Sequence, residues 1–431
     1  MKSNFQIIIL VVFFITGVLG VLVFSEIIPL DFGKDAELGQ GSVVIWGTES
    51  ASTLSPIFEE FNNTNKTFYV QYVQKFPETF NQDLLEALAS GQGPDMFFLP
   101  DDLVLSYSNK IFTIPYETYP IASFKANFAS AGEVFTTSNG ILAFPLTVDP
   151  LIMYYNRSVL DANNIIYPPK TWDELTELVP KLTVKDDLNR ITKSAIALGQ
   201  YSNVDHAKDI ISAMFMQSGN QIIAERNGVL TSVLEDPGRR TDIDKVLEFY
   251  TNFTDPVHPM YSWNKSFDNS NEVFSREDLV FYLGYASEFE SLFNRNPNQN
   301  FFVAPMPQIK DAQFKLTGAQ VTGVAISAFS KNFNTAFIAA SRMATGDFAQ
   351  KLAIALNIAP ARRDLLAQAP KDAYSPTFYS GALYARSWLD PSPKDTDNIF
   401  RSMIDNVLSN KFSPVEAIKD ASSKLSLLLI K

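Results

Sequence analysis

The chain has 431 residues, with 35 Lys plus Arg against 47 Asp plus Glu, no Cys and 46 % hydrophobic residues. A net charge of −12 argues against nucleic acid as partner, because a duplex carries one phosphate charge per ~1.7 Å and repels such a surface. Without Cys there is no disulfide framework, thiolate metal site, cysteine nucleophile or lipid-bearing cysteine, and the length exceeds the roughly 250 to 300 residues of a single core, so two lobes are expected.

From Ile7 through Phe24 the chain carries no charge and is broken only by Thr16, Gly17 and Gly20. As a helix this stretch spans about 27 Å, close to the ~30 Å hydrocarbon core. It also exceeds the roughly 7 to 15 residues of a signal-peptide apolar region. Residues 1–26 therefore read as a membrane anchor, with a signal segment cleaved near Val23-Phe24-Ser25 as the alternative. Lys2 before the span, and Glu26, Asp31, Asp35 and Glu37 after it, place the remainder outside the cytoplasm. Residues 27–41, with Gly33, Gly39 and Gly41 among acidic side chains, read as a tether.

The body opens with Val43-Val44-Ile45-Trp46, an apolar run that suits a buried parallel strand. Leu54, Ile57, Phe58 and Phe61 then share one face of a helix. Phe68 to Val73 is a second strand, Leu84, Leu85 and Leu88 stripe a second helix stopped at Gly91, and Pro94 to Leu99 is a third strand. This alternation predicts a wound α/β lobe with the ligand crevice in the loops at the strand ends.

Gly140 to Pro145 and Leu151 to Tyr155 are expected to be extended. Thr171 with Glu174 forms a capping box for a helix striped by Leu175, Leu178, Val179 and Leu182. Further helices are marked by Ile210, Ile211, Met214 and Phe215, and by Thr241 capping Ile243, Val246, Leu247 and Tyr250. Leu279 to Leu283, Phe301 to Pro305 and Val324 to Ser327 read as strands, and the remainder as helices, one opened by Ser413-Pro414-Val415-Glu416.

Signals for covalent chemistry are few. No Gly-x-Ser-x-Gly elbow or His-Glu-x-x-His is present, His206 and His258 lack metalloenzyme spacing, and Gly91-Gln92-Gly93 lacks the lysine and helix start of a P-loop. Neither an enzyme nor a cofactor is expected. A composition of 35 Phe, 16 Tyr and 4 Trp beside acidic and amide loop residues fits a carbohydrate site, since aromatic faces stack on sugar rings while carboxylates and amides bond hydroxyls. Most of the aromatics, Phe58, Phe61, Phe97 and Phe98 among them, sit at core spacing.

The order of several motifs resembles one family. Trp46-Gly47, Gly93-Pro94-Asp95-Met96, Phe144-Pro145 followed by Tyr154-Tyr155-Asn156, and Pro168-Pro169-Lys170-Thr171-Trp172-Asp173-Glu174 look like the extracellular solute-binding proteins of ABC importers, in the branch of the maltose-binding protein and other sugar binders. Gly323-Val324-Ala325-Ile326-Ser327 and Ile358-Ala359-Pro360-Ala361 continue the similarity.

The resemblance implies a periplasmic-binding-protein-like α/β fold. Two α/β lobes, residues 42–143 plus 305–346 and residues 146–302 plus 350–431, would be joined by a multi-crossing hinge and close over a ligand. It implies a monomer that delivers a small solute, a sugar or oligosaccharide first, to ABC permease subunits from the outer face of the cytoplasmic membrane. A polyamine or other polar solute, a receptor feeding a sensor, or a carbohydrate-active hydrolase with paired carboxylates stand as alternatives.

By position, Trp46, Thr48 and Glu49 match the family's first cleft loop, Asp101 and Asp102 the loop after the third strand, and Asp149 an acidic position beyond the first crossing. Tyr201 and Asn203 correspond to an aromatic and polar pair of the second lobe. Where the family often has Gly-Pro-Trp this chain reads Gly284-Tyr285-Ala286, which makes Tyr285 a substitute stacking residue and Trp388 a second platform. Plainer structural roles compete at these positions: Thr48 as the end of a strand, Asp101 and Asp102 as a helix cap, and Trp388 as part of the core.

Overall fold

The computed structural model describes residues 41–226, 228–235 and 243–430. The anchor-or-signal segment, the tether up to residue 40 and the Thr241 cap lie outside the described residues. No helix among the described residues is long and apolar enough to cross a membrane.

The first third alternates as the hydrophobic periods predict. β1 (Gly41–Gly47) pairs in parallel with β2 (Phe68–Gln74) and β3 (Met96–Pro100). Helices α1 (Ala51–Thr64) and α2 (Pro77–Ala89) make the crossovers. Leu54, Ile57 and Phe58 are buried along α1 with Phe61 packed against the core beside them. Gly91, at φ +69°, takes the left-handed turn that releases the chain after α2.

β4 (Ala143–Asn156) organises the middle of the chain. All its residues are buried. The two extended runs expected here are one continuous strand plus a short separate pair, Gly140–Ile141 with Thr136–Thr137. Every position of β4 is buried because it is covered on both faces and paired along its length. Helix α3 (Trp172–Leu182), strand β5 (Ile191–Ile196), helix α4 (Ala207–Gln217), and strands β6 (Leu279–Tyr285), β7 (Phe301–Pro305) and β8 (Thr317–Ile326) come next. Helices α5 (Phe333–Thr345), α6 (Phe348–Ala355), α7 (Pro393–Leu408) and α8 (Pro414–Leu429) dominate the remainder.

The main sheet runs β2-β1-β3-β8-β4-β6-β5, with β7 also on β4. The amino-terminal half of β4 pairs antiparallel with β8, as in Phe144 with Val324. Its carboxyl-terminal half pairs with β6 and β7, as in Leu151 with Tyr285 and Tyr154 with Val303. One strand thereby connects two sectors of the sheet, and the pairing changes over between Pro150 and Leu151.

Several residues that carry the family resemblance serve the fold. Asp95 accepts the Val44 N–H at 2.9 Å and the Ser330 hydroxyl at 2.6 Å, stapling β1 to the loop after β8. Asn156 caps the helix Arg157–Ala162 by accepting the Val159 N–H. At α3 the capping box forms only in part: Thr171 Oγ1 accepts the Glu174 N–H at 3.2 Å, but Glu174 returns its bond to Lys170 N–H at 2.7 Å instead of to Thr171. Thr171 is held by a bridge to Gln308, and the Trp172 N–H donates to Gln308 C=O. The box at α8 forms in full between Ser413 and Glu416.

The aromatic residues are mostly core, as their spacing predicts. Phe58 packs against Tyr72 and Phe348, and Tyr154 against Phe274, Tyr282 and Phe301. Both histidines have local partners. His206 Nε2 lies 2.8 Å from Glu288, and His258 Nδ1 accepts the Met260 N–H.

Candidate functional site

Two adjoining cavities open where the carboxyl ends of β1 and β3 meet β4, β6 and β8. The larger has a volume of about 780 Å³ and the smaller about 410 Å³. They share Thr48, Glu49, Phe80, Pro100, Gln320 and Thr322 and so form one groove with two compartments. The groove sits at the strand ends because a wound sheet leaves its loops, and the backbone groups they free, at that edge.

The sequence-predicted residues divide three ways. Thr48 and Glu49, on the turn that ends β1, border both compartments. Asp101, Asp102, Tyr285 and Trp388 line the larger, and Asp149 lines the smaller. Trp46, Tyr201 and Asn203 line neither. Trp46 is half-buried under the Lys75 ammonium, 3.7 Å from its ring centre. The Tyr201 hydroxyl donates to Asp397, with the Arg401 guanidinium over its ring. Asn203 donates to the carbonyls of Asn264 and Phe267, both at 3.0 Å, and accepts from the Trp263 indole at 3.1 Å, so its amide is used up inside the protein.

Asp101 and Asp149 are held by backbone and hydroxyl donors. Asp101, 7 % exposed, accepts the Val321 N–H at 3.1 Å and the Ser387 hydroxyl. Burial, followed by the adjacent Asp102, pushes its carboxyl up to about 7 against the pull of those bonds. Asp149 is raised to about 7, chiefly by burial, while accepting the Ser287 N–H at 3.1 Å. Asp102 rises to about 6 through burial and the nearby Asp390, with Lys208 opposing. Burial also raises Glu49.

The second wall went unseen in the sequence. Lys208, Asp209, Ser212 and Met216 project from α4 into the larger compartment at helical spacing. Lys208 Nζ pairs with Asp390 Oδ2 at 2.8 Å, and Asp390 also accepts from Thr396 and from the Ser392 N–H at the start of α7. Asp209 shares a hydrogen bond with the Tyr285 phenol. In the smaller compartment Asn357 donates to Glu290 at 3.1 Å. The only sequence signal for this wall was Leu389-Asp390-Pro391-Ser392-Pro393, an acidic turn before a proline-opened helix.

The wall is positioned by a buried polar chain. Glu288 accepts the Tyr285 N–H at 2.7 Å and faces His206, the residue before α4, which adopts φ 59° and meets the Tyr285 ring edge-on. The site thus combines carboxylates, amides and hydroxyls with the half-buried indole of Trp388, a set suited to binding a hydroxylated solute. No group of three or more side chains able to hold a metal ion occurs among the described residues.

A family model described as bacterial extracellular solute-binding protein matches residues 57–377. A maltotriose-binding protein of Pyrococcus abyssi is 24 % identical over 280 residues, which cover 64 % of this chain and 56 % of that protein, little more than half its length. Among solved structures, a cyclo/maltodextrin-binding protein in complex with maltotetraose superposes with a TM-score of 0.71 at 18 % identity, over 89 % of this chain and 96 % of the other. An ABC substrate-binding protein from Listeria monocytogenes in complex with cycloalternan gives 0.67 at 17 % identity, over 90 % and 98 %. The mixed α/β fold is that of these binding proteins.

Proposed function

The chain belongs to the bacterial extracellular solute-binding proteins, and from that premise we propose that it is the extracytoplasmic receptor of an ABC importer, with a sugar or oligosaccharide as ligand. One observation carries the reading: a single groove presents carboxylates, amides and the Trp388 indole together. Sugars are bound by that pairing of hydroxyl acceptors with an aromatic face. The names of the similar proteins, which bind maltotriose, maltotetraose or cycloalternan, support the same ligand class. The matched family consists of binding proteins, and the groove is read as a place of capture without covalent chemistry.

The receptor works by closure. The two lobes, residues 42–143 plus 305–346 and residues 146–302 plus 350–431, contribute opposite walls, with Asp101 and Glu49 from one and Asp149, Tyr285 and Trp388 from the other. A ligand that touches both walls gains contacts only in the closed state and shifts the population by that difference. The Asp101 to Ser387 hydrogen bond, between these stretches of chain, is the kind of contact closure provides. The apolar segment from Ile7 to Phe24 would tether the monomeric receptor beside its permease.

Thermal-shift and calorimetric titration of the purified protein with maltooligosaccharides, other neutral sugars, polyamines and peptides tests the proposal. A ligand at about 100 times its Kd stabilises by ~2.7 kcal/mol, enough to raise the melting temperature visibly. Stabilisation by a saccharide is expected. Response to polyamines or peptides with none to any saccharide, or conversion of a bound sugar to a new product, would overturn it.

A further inference from the structure

The larger compartment carries more negative charge than its own partners balance. Asp101, Asp102, Asp209 and Asp390 all line it. Three of them have internal partners: Asp101 accepts from Val321 and Ser387, Asp209 from Tyr285, and Asp390 from Lys208, Ser392 and Thr396. Asp102 receives no bond from any other side chain among the described residues, and Lys208 is the one cation that opposes its burial. Lys208 is already committed to Asp390 at 2.8 Å. Arg386, also on the compartment, turns its guanidinium to the Ala385 carbonyl and lies near Glu133 and Arg363.

A second observation points into the same space. The Ser212 hydroxyl, on a residue 1 % exposed, has no hydrogen-bond partner inside the protein although it lines the compartment one helical turn beyond Lys208 and Asp209. A buried hydroxyl left unpaired is costly, and a ligand that supplies the partner recovers that cost. An anionic ligand would meet Asp102 and Asp209 as like charges, and a neutral one would leave Asp102 without a counter-charge.

We infer that the saccharide proposed above bears a positively charged amino group, held by Asp102 beside Asp209, with an oxygen or nitrogen of the same sugar unit bonded to Ser212. This rests on the reading of the groove as a sugar site and specifies its chemical class. The ammonium offsets one of the two carboxylates that Lys208 leaves unbalanced among Asp102, Asp209 and Asp390, and Trp388 in the same compartment offers a face for the ring.

The test is calorimetry of the full chain with three oligosaccharides and one polyamine: a trimer of glucosamine, its fully N-acetylated counterpart, maltotriose, and spermidine, at a pH where the amine is protonated. The glucosamine trimer is expected to bind about tenfold or more tighter than the acetylated trimer, the span of a charge-assisted hydrogen bond, and higher ionic strength should narrow the gap. Asp102→Asn should bring the ratio towards one, with the melting temperature without ligand within a degree or two of the parent. Equal or tighter binding of the acetylated trimer or maltotriose overturns the amino-group inference and leaves the sugar reading standing. Binding of spermidine alone, or of none of the four, overturns both. An unchanged ratio in Asp102→Asn removes Asp102 as the ammonium site.

Discussion

Lys208 Nζ lies 2.8 Å from Asp390 Oδ2, and the pair joins the first turn of α4 to the loop before α7 across the wall of the larger compartment. Asp390 is 3 % exposed, so its carboxylate depends on this ammonium and on the donors of Thr396 and Ser392.

Removing one partner leaves a charge in a poorly hydrated wall. Asp390→Ala should therefore lower unfolding stability by roughly 3 kcal/mol, whereas a double replacement, Lys208→Met with Asp390→Leu, should cost much less. Urea denaturation of the three proteins checks this. A single variant with the parental midpoint would show that the pair does not hold the wall.

Stability should decline as pH rises across the acid-to-neutral range. The buried carboxyls of Asp101 and Asp149 sit at about 7 in the folded protein against ordinary values of 3.8. Between those values the folded chain binds more protons than the unfolded one, and the slope of stability with pH is negative. His206, raised above 6.5, acts in the same sense, since its contribution is complete below its ordinary value and is lost as pH rises through the raised one. Glu288, lowered from 4.5 by His206 and Tyr282 despite its burial, loses its contribution only at more acidic pH. The melting temperature is thus expected to fall from about pH 5 to about pH 8. Asp149→Asn, which keeps an acceptor for Ser287, should flatten that fall, and an identical pH profile in the variant would exclude Asp149 as a source.

Asn203 and Trp388 should separate stability from binding. Asn203→Ala strands the Trp263 indole and two carbonyls, at a cost of about 2 kcal/mol of stability. Trp388→Ala should weaken saccharide binding by roughly 1 to 2 kcal/mol through loss of the ring face. Chemical denaturation and calorimetry on both variants give the two readouts. Parental affinity in Trp388→Ala would remove it from the site.

Much of the fold was legible in the chain itself. The stripes of α1 and α2, the apolar runs of β1, β2 and β3, and the Ser413 capping box are local patterns whose periods and end signals do not depend on distant residues. The continuity of β4 was less visible, because Thr147, Asp149 and Pro150 interrupt its apolar pattern. Those polar positions are tolerated since Asp149 takes the Ser287 N–H and Thr147 pairs with Thr322 beside a register shift in the ladder with β8.

The groove was half legible. Thr48, Glu49, Asp101, Asp102 and Asp149 lie after strands or crossings and could be singled out by position. Lys208, Asp209 and Ser212 could not, since on a helix opened by a histidine they read as an ordinary polar start. Their role comes from where α4 packs, with Ala213 against Gly318 at the head of β8, a contact between residues far apart in the chain.

What the sequence determined alone was the alternation of strands and helices, the acidic and cysteine-free composition and the family, because propensity, period and motif order are properties of neighbouring residues. Which carboxylates face a common space, which are consumed by internal donors, and that Ser212 and Asp102 lack side-chain partners among the described residues was decided only by tertiary structure. The energy of a buried polar group depends on what long-range packing brings to it, and no local pattern carries that information.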